Sequence, residues 1–274
     1  MSGSRFLFSN GTLLRTPDSP PVKVLLEAHP GAYTTSRTHN NGSYLLFWER
    51  HMKRLSESIL ILSKLAPKFL FRSDESALLL PSSVDLTKWQ PTVQMLVTDS
   101  IGKVLPIALK EKNDCEELAI TTLVSGNLEE LNALKTVEYE ERLSKTFDVH
   151  VHVDTYVPSS FGIRGNGAHL AMVGFGRDVA AAKYSEWVRI RKSLDKRRPP
   201  SVTELLLSND GDQILEGCVT NFFVVCRKGA DTDNGEAMHK YKNGYFFEVQ
   251  TAPISDGVLP GIIRQLVIEY DLLL

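Results

Sequence analysis

The sequence predicts a mixed α/β fold with two lobes. Short segments rich in β-branched and aromatic residues alternate with segments whose apolar residues recur every three or four positions, a pattern typical of strands mixed with amphipathic helices. A stretch rich in Pro, Ser and Gly at 158–166 interrupts this pattern. We therefore predict an N-terminal α/β lobe at 1–157 and a C-terminal lobe at 158–274, and the chain is long enough for each to bury a core.

Strands are predicted at the start of the N-terminal lobe. Arg5–Phe8 and Val22–Ala28 are rich in apolar and β-forming residues, and a His-Pro-Gly turn follows the second of them. Ala32–Thr38 is also rich in β-formers. It ends before Asn40-Asn41-Gly42, whose Asn-Gly pair favours a tight hairpin turn.

One long amphipathic helix and further strands complete the N-terminal lobe. From Leu46 to Leu65 the apolar residues are spaced by three or four positions, which predicts a helix with one buried stripe. Three more segments have the composition of strands: Pro91–Val97, Glu117–Val124 and Asp148–Val153.

The C-terminal lobe is predicted to contain a hairpin, two further strands and a final helix. Val202–Ser208 and Gln213–Leu215 flank the turn at 209–212, and the returning strand leads to Glu216. Strands at Asn221–Cys226 and Tyr245–Gln250 flank a polar loop insertion at 228–244. The loop 251–261 then enters a helix with an apolar face of Ile263, Leu266, Val267 and Tyr270.

Composition excludes several classes of protein. The 31 basic and 33 acidic residues leave a net charge of −2, so no long-range field attracts nucleic acid or an anionic membrane. The basic run Arg189–Arg198 is interpreted as a solvated helix face. Three cysteines without a CxxC pair suit a reducing compartment, and no apolar run approaches the roughly 18 residues that a membrane span needs. We expect a cytoplasmic protein, with an organelle also open because a chain freed of its transit peptide looks the same.

Two other site types receive little support from the sequence. His150, His152 and Asp154 alternate along a predicted strand and share one face, but no fourth ligand lies nearby, so no metal site is predicted. Gly165-Asn-Gly167 lacks the third glycine and the preceding strand of a dinucleotide fingerprint.

Three segments together resemble the class IV aminotransferase family, which includes branched-chain and D-amino-acid aminotransferases. They are His51-Met-Lys-Arg-Leu-Ser-Glu-Ser58, Glu216-Gly-Cys-Val-Thr-Asn-Phe-Phe223, and Thr251-Ala-Pro-Ile-Ser-Asp-Gly-Val-Leu-Pro-Gly-Ile-Ile-Arg264. They occur in family order over most of the chain. The resemblance implies a fold-type-IV enzyme with pyridoxal 5'-phosphate as cofactor, bound mainly by the C-terminal lobe, and a possible homodimer.

The resemblance implies roles for two residues in particular. Lys183 lies 33 residues before Glu216, the family interval, and would form a Schiff base with the cofactor aldehyde. This chemistry needs an amine that is often neutral. Glu216 would pair with the pyridine nitrogen of the cofactor. The residues alone leave open a surface helix lysine and a solvent-exposed hairpin glutamate.

The resemblance also implies a phosphate site and a substrate contact. Arg54 and the backbone amides of Gly261, Ile262 and Ile263 would bind the phosphate, since a helix N-terminus attracts anions. Ile263 stands where the family usually has threonine. Tyr33 lies where the family places an aromatic residue towards the substrate. A solvated charge for Arg54 and a packed strand tyrosine for Tyr33 are the alternatives.

The implied activity is transfer of an amino group between an amino acid and a 2-oxo acid. A lyase on the same scaffold, resembling aminodeoxychorismate lyase, and a non-catalytic relative that acts as a binding or regulatory protein stay open. Family members continue past the Gly-x-x-Arg helix, whereas this sequence stops at Leu274. We expect a truncated form without the closing C-terminal strands, and therefore an incomplete C-terminal lobe.

Overall fold

The computed structural model describes residues 4–71, 88–133, 143–209, 212–229 and 245–271, whose strands form three sheets. The largest is antiparallel and has six strands in the order β2-β1-β6-β5-β3-β4. These strands are β1 (Phe6–Ser9), β2 (Thr12–Arg15), β3 (Ala32–His39), β4 (Tyr44–Leu45), β5 (Leu118–Gly126) and β6 (Phe147–Thr155).

Helices cover this sheet, and the longest two supply much of the core. In α4, Val93, Val97, Val104 and Ala108 are almost fully buried and recur at helical spacing. They pack in the same cluster as the stripe of α2 and the inner side chains of β5 and β6. The helices are α1 (Val22–Ala28), α2 (Trp48–Leu65), α3 (Lys68–Phe71), α4 (Trp89–Glu111) and α5 (Leu128–Ala133).

The rest of the chain forms two smaller sheets with short helices. β7 (Leu170–Gly174) pairs parallel with β8 (Glu204–Ser208), and β8 pairs antiparallel with β9 (Ile214–Gly217). β10 (Val224–Gly229) and β11 (Tyr245–Gln250) form an antiparallel pair. The helices of this part are α6 (Glu186–Ile190), α7 (Lys192–Arg197) and α8 (Ile262–Asp271).

Most predicted elements are confirmed. The helix from Leu46 is α2, and the strands predicted in the N-terminal lobe after residue 110 are β5 and β6. Asn40 and Asn41 have φ of 54° and 57°, as a turn with two left-handed residues requires. The strand predicted from Asn221 begins only at Val224. Residues 210–211 of the predicted turn and 230–244 of the predicted loop lie outside the described residues.

Two predicted strands are helices. Val22–Ala28 is α1, which follows Pro21 directly and buries Leu25 and Leu26; its two valines favoured a strand, but Leu-Leu-Glu-Ala are good helix formers. Pro91–Val97 lies inside α4, whose buried positions extend to Ala108. Pro91 is tolerated there because the first amides of a helix have no intrahelical partner to lose.

The prediction that no apolar run approaches the length of a membrane span does not hold for α4. By length and hydropathy alone this helix could cross a membrane, and a third of its apolar window is buried in the protein. In this structure its buried face packs against α2 and the six-stranded sheet.

The predicted lobe boundary falls between the last strand of the large sheet and β7. A single apolar cluster nevertheless crosses that position, because Phe6 and Val151 share it with Leu205, Leu207 and Trp187. The division into two lobes stays a prediction, and the core of the described residues is continuous across it.

The strand histidines of β6 each have a protein partner. Ser9 Oγ lies 2.8 Å from His150 Nδ1, His152 Nε2 donates to the Pro20 carbonyl at 2.9 Å, and Asp154 accepts from Arg5 Nε at 2.8 Å. Within the described ranges, no three His, Cys, Asp or Glu side chains gather as metal ligands would.

Candidate functional site

The backbone of Lys183 is fixed to the strand β3 and the helix α2. The Lys183 N–H donates to Ser58 Oγ at 3.0 Å, and the Lys183 carbonyl accepts from the Tyr33 N–H at 2.9 Å. One residue pair further, Ala32 forms a bridge with Tyr184, and the Ser185 N–H donates to the Gly31 carbonyl at 2.9 Å. The segment that carries Lys183 is thus held in place along the start of β3.

The Lys183 side chain is half-buried among positive charges. Its Nζ lies 4.9 Å from the centre of the Tyr33 ring. Burial, together with the nearby Arg54, Arg177 and Arg191 guanidinium groups, lowers the pKa of Lys183 to about 7, and Glu216 opposes the shift. A large fraction of the amine is therefore neutral near pH 7, which is the form that attacks a carbonyl.

Glu216, at the end of β9, is buried and has both carboxylate oxygens bound. Oε1 accepts from Arg177 Nε at 3.0 Å and from Arg177 Nη2, and Oε2 accepts from Asn221 Nδ2 at 3.3 Å and from the Leu259 N–H at 3.1 Å. Four donors converge on an acceptor-only group, so the side chain is rigidly oriented. A solvent-exposed hairpin glutamate is excluded.

Lys183, Glu216 and Tyr33 line one partly open cavity of about 40 Å³. Its wall also contains side chains from α6 and from the segment after β9. These further lining residues are Arg177, Tyr184, Trp187, Arg191, Gly217, Cys218, Val219, Thr220, Asn221 and Leu259.

Arg54 lies behind this cavity, buried in α2. Its Nη2 donates to Thr34 Oγ1 at 3.0 Å, and Thr34 Oγ1 also lies 2.7 Å from His51 Nδ1. Arg54 Nε is buried without a hydrogen-bond partner in the described part of the chain, and burial lowers the pKa of Arg54 to about 10. A solvated helix charge is therefore excluded. A buried cation in this state is costly, and an anion would offset the cost.

The start of α8 meets the site through Asn221. A Cβ at Gly261 would lie 1.9 Å from Asn221 Oδ1, so only glycine fits against this amide. The Gly261 N–H already donates to the Leu259 carbonyl at 2.8 Å, which leaves the first amides of α8, at Ile262 and Ile263, as the free donors expected at a helix N-terminus. Ile262 is buried.

The apolar face predicted for this last helix is largely exposed. Ile263, which replaces the family threonine, is 62% exposed, and Val267 and Tyr270 on the same side are also accessible. Arg264 is buried instead, and its Nη2 donates to the Ala252 carbonyl at 2.7 Å.

Two arginines in the cavity wall were not predicted from the sequence. Arg177 precedes Lys183 by six residues and belongs to no recognised motif. Arg191 belongs to the basic run that was interpreted as a solvated helix face. That interpretation holds for Arg189, which is exposed, but Arg191 turns into the cavity. Only the packing of α6 against the segment after β9 distinguishes Arg191 from Arg189.

Residues 31–272 match the model of the family described as amino-transferase class IV, which is nearly the whole chain. No curated protein matches the sequence.

Solved structures resemble the whole described fold. A branched-chain aminotransferase from the archaeon Thermoproteus uzoniensis with norvaline is 17% identical with a TM-score of 0.53, covering 98% of this chain and 74% of that one. A hypothetical aminotransferase from Mycobacterium tuberculosis in its PLP-bound form is 16% identical (TM-score 0.52; 97% and 76% covered). An aminotransferase from Brucella abortus bound to PLP is 13% identical (TM-score 0.53; 97% and 77% covered). At such identities the likeness concerns the fold, and it confirms the predicted α/β architecture.

Proposed function

Because the chain belongs to the class IV aminotransferase family and has the fold-type-IV architecture, we propose that it is a pyridoxal-phosphate-dependent aminotransferase. It would transfer an amino group between an amino acid of the branched-chain or D-amino-acid type and a 2-oxo acid. The observation that carries the proposal is the cavity shared by the Lys183 amine and the Glu216 carboxylate.

The residues present fit pyridoxal phosphate. When bound, this cofactor supplies an aldehyde that reacts with amines and a ring that accepts the electrons released at the substrate Cα. Lys183 is the amine that would hold the aldehyde end, and Glu216 would hold the ring nitrogen. Arg54, buried with an unpartnered Nε, and the first amides of α8 would hold the phosphate.

Lys183 is also suited to move a proton. Its pKa of about 7 allows the free amine to accept a proton from the substrate and to return it near neutral pH. The Tyr33 ring packs over Nζ, limits the directions that the side chain takes and faces the space where a substrate would lie.

Glu216 shares one oxygen with Arg177 in this structure. A ring nitrogen that approaches the carboxylate would compete with Arg177 for Oε1, while Oε2 stays bound by Asn221 and the Leu259 amide. Arg177 therefore has to give up at least one of its two contacts for the ring to be held as proposed.

A spectrum tests the proposal. Mixing the protein with pyridoxal phosphate should produce a new absorbance at the edge of the visible range, and Lys183→Ala should abolish it. Lys192→Ala is the matched control, because Lys192 is an exposed lysine paired with Glu27 and should leave the spectrum unchanged. Absence of the band in the unmodified protein would instead favour the non-catalytic relative.

The same protein separates transfer from elimination. Adding an amino acid to the loaded protein should bleach the band, and continued turnover should require a 2-oxo acid acceptor. Turnover without any acceptor would favour a lyase on the same scaffold.

A further inference from the structure

The cavity contains one permanently charged cation that no described carboxylate neutralises by contact. Arg177 is paired with Glu216, and only about half of the Lys183 amines carry a charge near pH 7. Arg191 also lines the cavity, but it belongs to none of the ion pairs found among the described residues.

The Arg191 side chain is half-buried, and its Nε has no hydrogen-bond partner within the described ranges. Glu204 is close enough for the charge of Arg191 to act on the pKa of its carboxyl. Its Oε1 already accepts from the Leu205 N–H at 3.0 Å, and its Oε2 accepts from Thr220 Oγ1 at 3.4 Å. Arg191 thus retains an unused donor, and its side chain lines the cavity.

We infer that Arg191 binds the carboxylate of the substrate, and this inference rests on the proposed function. A guanidinium presents a planar fork of donors that matches a carboxylate with two parallel hydrogen bonds. Amino acids and 2-oxo acids both carry such a group next to the reacting carbon, whereas simple amines and ketones do not. Arg191 therefore selects acids over their neutral analogues.

The neighbours of Arg191 agree with this assignment. Trp187, one helical turn earlier, and Cys218 beyond β9 are buried apolar residues of the cavity wall, and a contact between charges is stronger beside such residues than in open water. Arg191 also acts on the pKa values of Lys183 and Tyr33, so its charge lies within reach of the reacting amine. A carboxylate on Arg191 would consequently be close to Lys183.

The test measures binding of 4-methyl-2-oxopentanoate and of its neutral amide by calorimetry. Both are titrated into the cofactor-free and the pyridoxal-phosphate-loaded protein. In Arg191→Gln the dissociation constant of the acid should rise by at least about tenfold, and Arg191→Lys should restore part of the loss. The amide should bind equally to all three proteins. Arg189→Gln, two residues earlier on the exposed side of α6, is the control and should bind the acid like the unmodified protein.

Two outcomes would overturn the inference. Equal weakening of acid and amide would make Arg191 a structural residue, and a lower affinity of Arg191→Gln for pyridoxal phosphate with unchanged affinity for the acid would make it a ligand of the cofactor phosphate. Binding of the acid to the cofactor-free protein can be measured whether or not the absorbance band forms. If the unmodified protein lacks the band, the proposed function is wrong. If Arg191→Gln binds the acid as the unmodified protein does, this inference alone is wrong.

Discussion

The two ends of the cavity differ in how completely their charges are compensated. At one end, Glu216 accepts four hydrogen bonds, two of them from Arg177. At the other, Lys183 has no carboxylate in contact among the described residues and is surrounded by the charges of Arg54, Arg177 and Arg191. One end is stabilised by its own partners, and the other is held in an environment that disfavours its charged form.

This difference separates a contribution to stability from a contribution to chemistry. Fully bonded buried groups fix a geometry, whereas a group kept from its preferred charge state stays reactive. The fold tolerates the free-energy cost of burying the Lys183 amine because the segment is held by hydrogen bonds of the Lys183 backbone to Tyr33 and Ser58. The charge of the side chain does not hold the segment in place. Three perturbations of stability test this contrast.

The largest effect should come from removing the carboxylate. Glu216→Ala leaves the Arg177 guanidinium buried without its counterion, so the free energy of unfolding should fall by about 3–5 kcal/mol. Urea unfolding of the cofactor-free protein measures it. Asp99→Ala removes an exposed pair with Lys103 and should cost less than about 1 kcal/mol. Equal losses in the two variants would show that the Glu216 end is not specially stabilised.

A smaller, pH-dependent effect is expected at the other end. The unfolded chain protonates Lys183 below pH 10.5 and the folded chain only below about 7, so the unfolded state binds more protons between these values and stability rises with pH there. Lys183→Met should therefore be more stable than the unmodified protein below pH 7, by on the order of 3 kcal/mol, and the gap should shrink towards pH 10. The free energy of unfolding of both proteins, measured from pH 6 to 10, shows whether the gap shrinks. Lys103→Met is the control, because Lys103 is exposed. A constant gap would contradict the assigned environment.

The smallest effect concerns the support of the Glu216 end. Gly261→Ala would push Asn221 away from Glu216, and we expect a loss of about 1–3 kcal/mol. Gly102→Ala is the matched control, because its Cβ would meet no atom within 4 Å and Gly102 lies inside α4. That change should stabilise the protein by about 0.5–1 kcal/mol, and thermal unfolding compares the two. A stabilising Gly261→Ala would disprove the tight contact.

The sequence predicted parts of the site through its resemblance to the class IV aminotransferase family. That resemblance implies the pair Lys183 and Glu216, and these two residues line one cavity. Periodicity likewise identified α2, because its buried stripe repeats over five turns. The interpretation failed for α1 and for the start of α4, where short windows containing valines favour a strand and only longer-range packing decides.

Arg177 and Arg191 show why the rest of the site was not predicted. A sequence does not distinguish an arginine that faces solvent from one that turns inward, since both fit a helix of ordinary polarity. Arg189 and Arg191 are two positions apart and therefore point to different sides of the same turn. Their environments differ only because the strand β9 and the segment after it come back across one of those sides.

The hydrogen bonds between residues 29–33 and 183–185 have a consequence for how such proteins change over evolution. The Ser185 hydroxyl donates to the His29 carbonyl at 2.7 Å, beside the two backbone bonds that fix Gly31 and Tyr33. Lys183 is therefore positioned by a stretch encoded some 150 residues upstream. A chimaera that joined halves from two distant parents would inherit Lys183 but would keep its position only if both parents shared these hydrogen bonds.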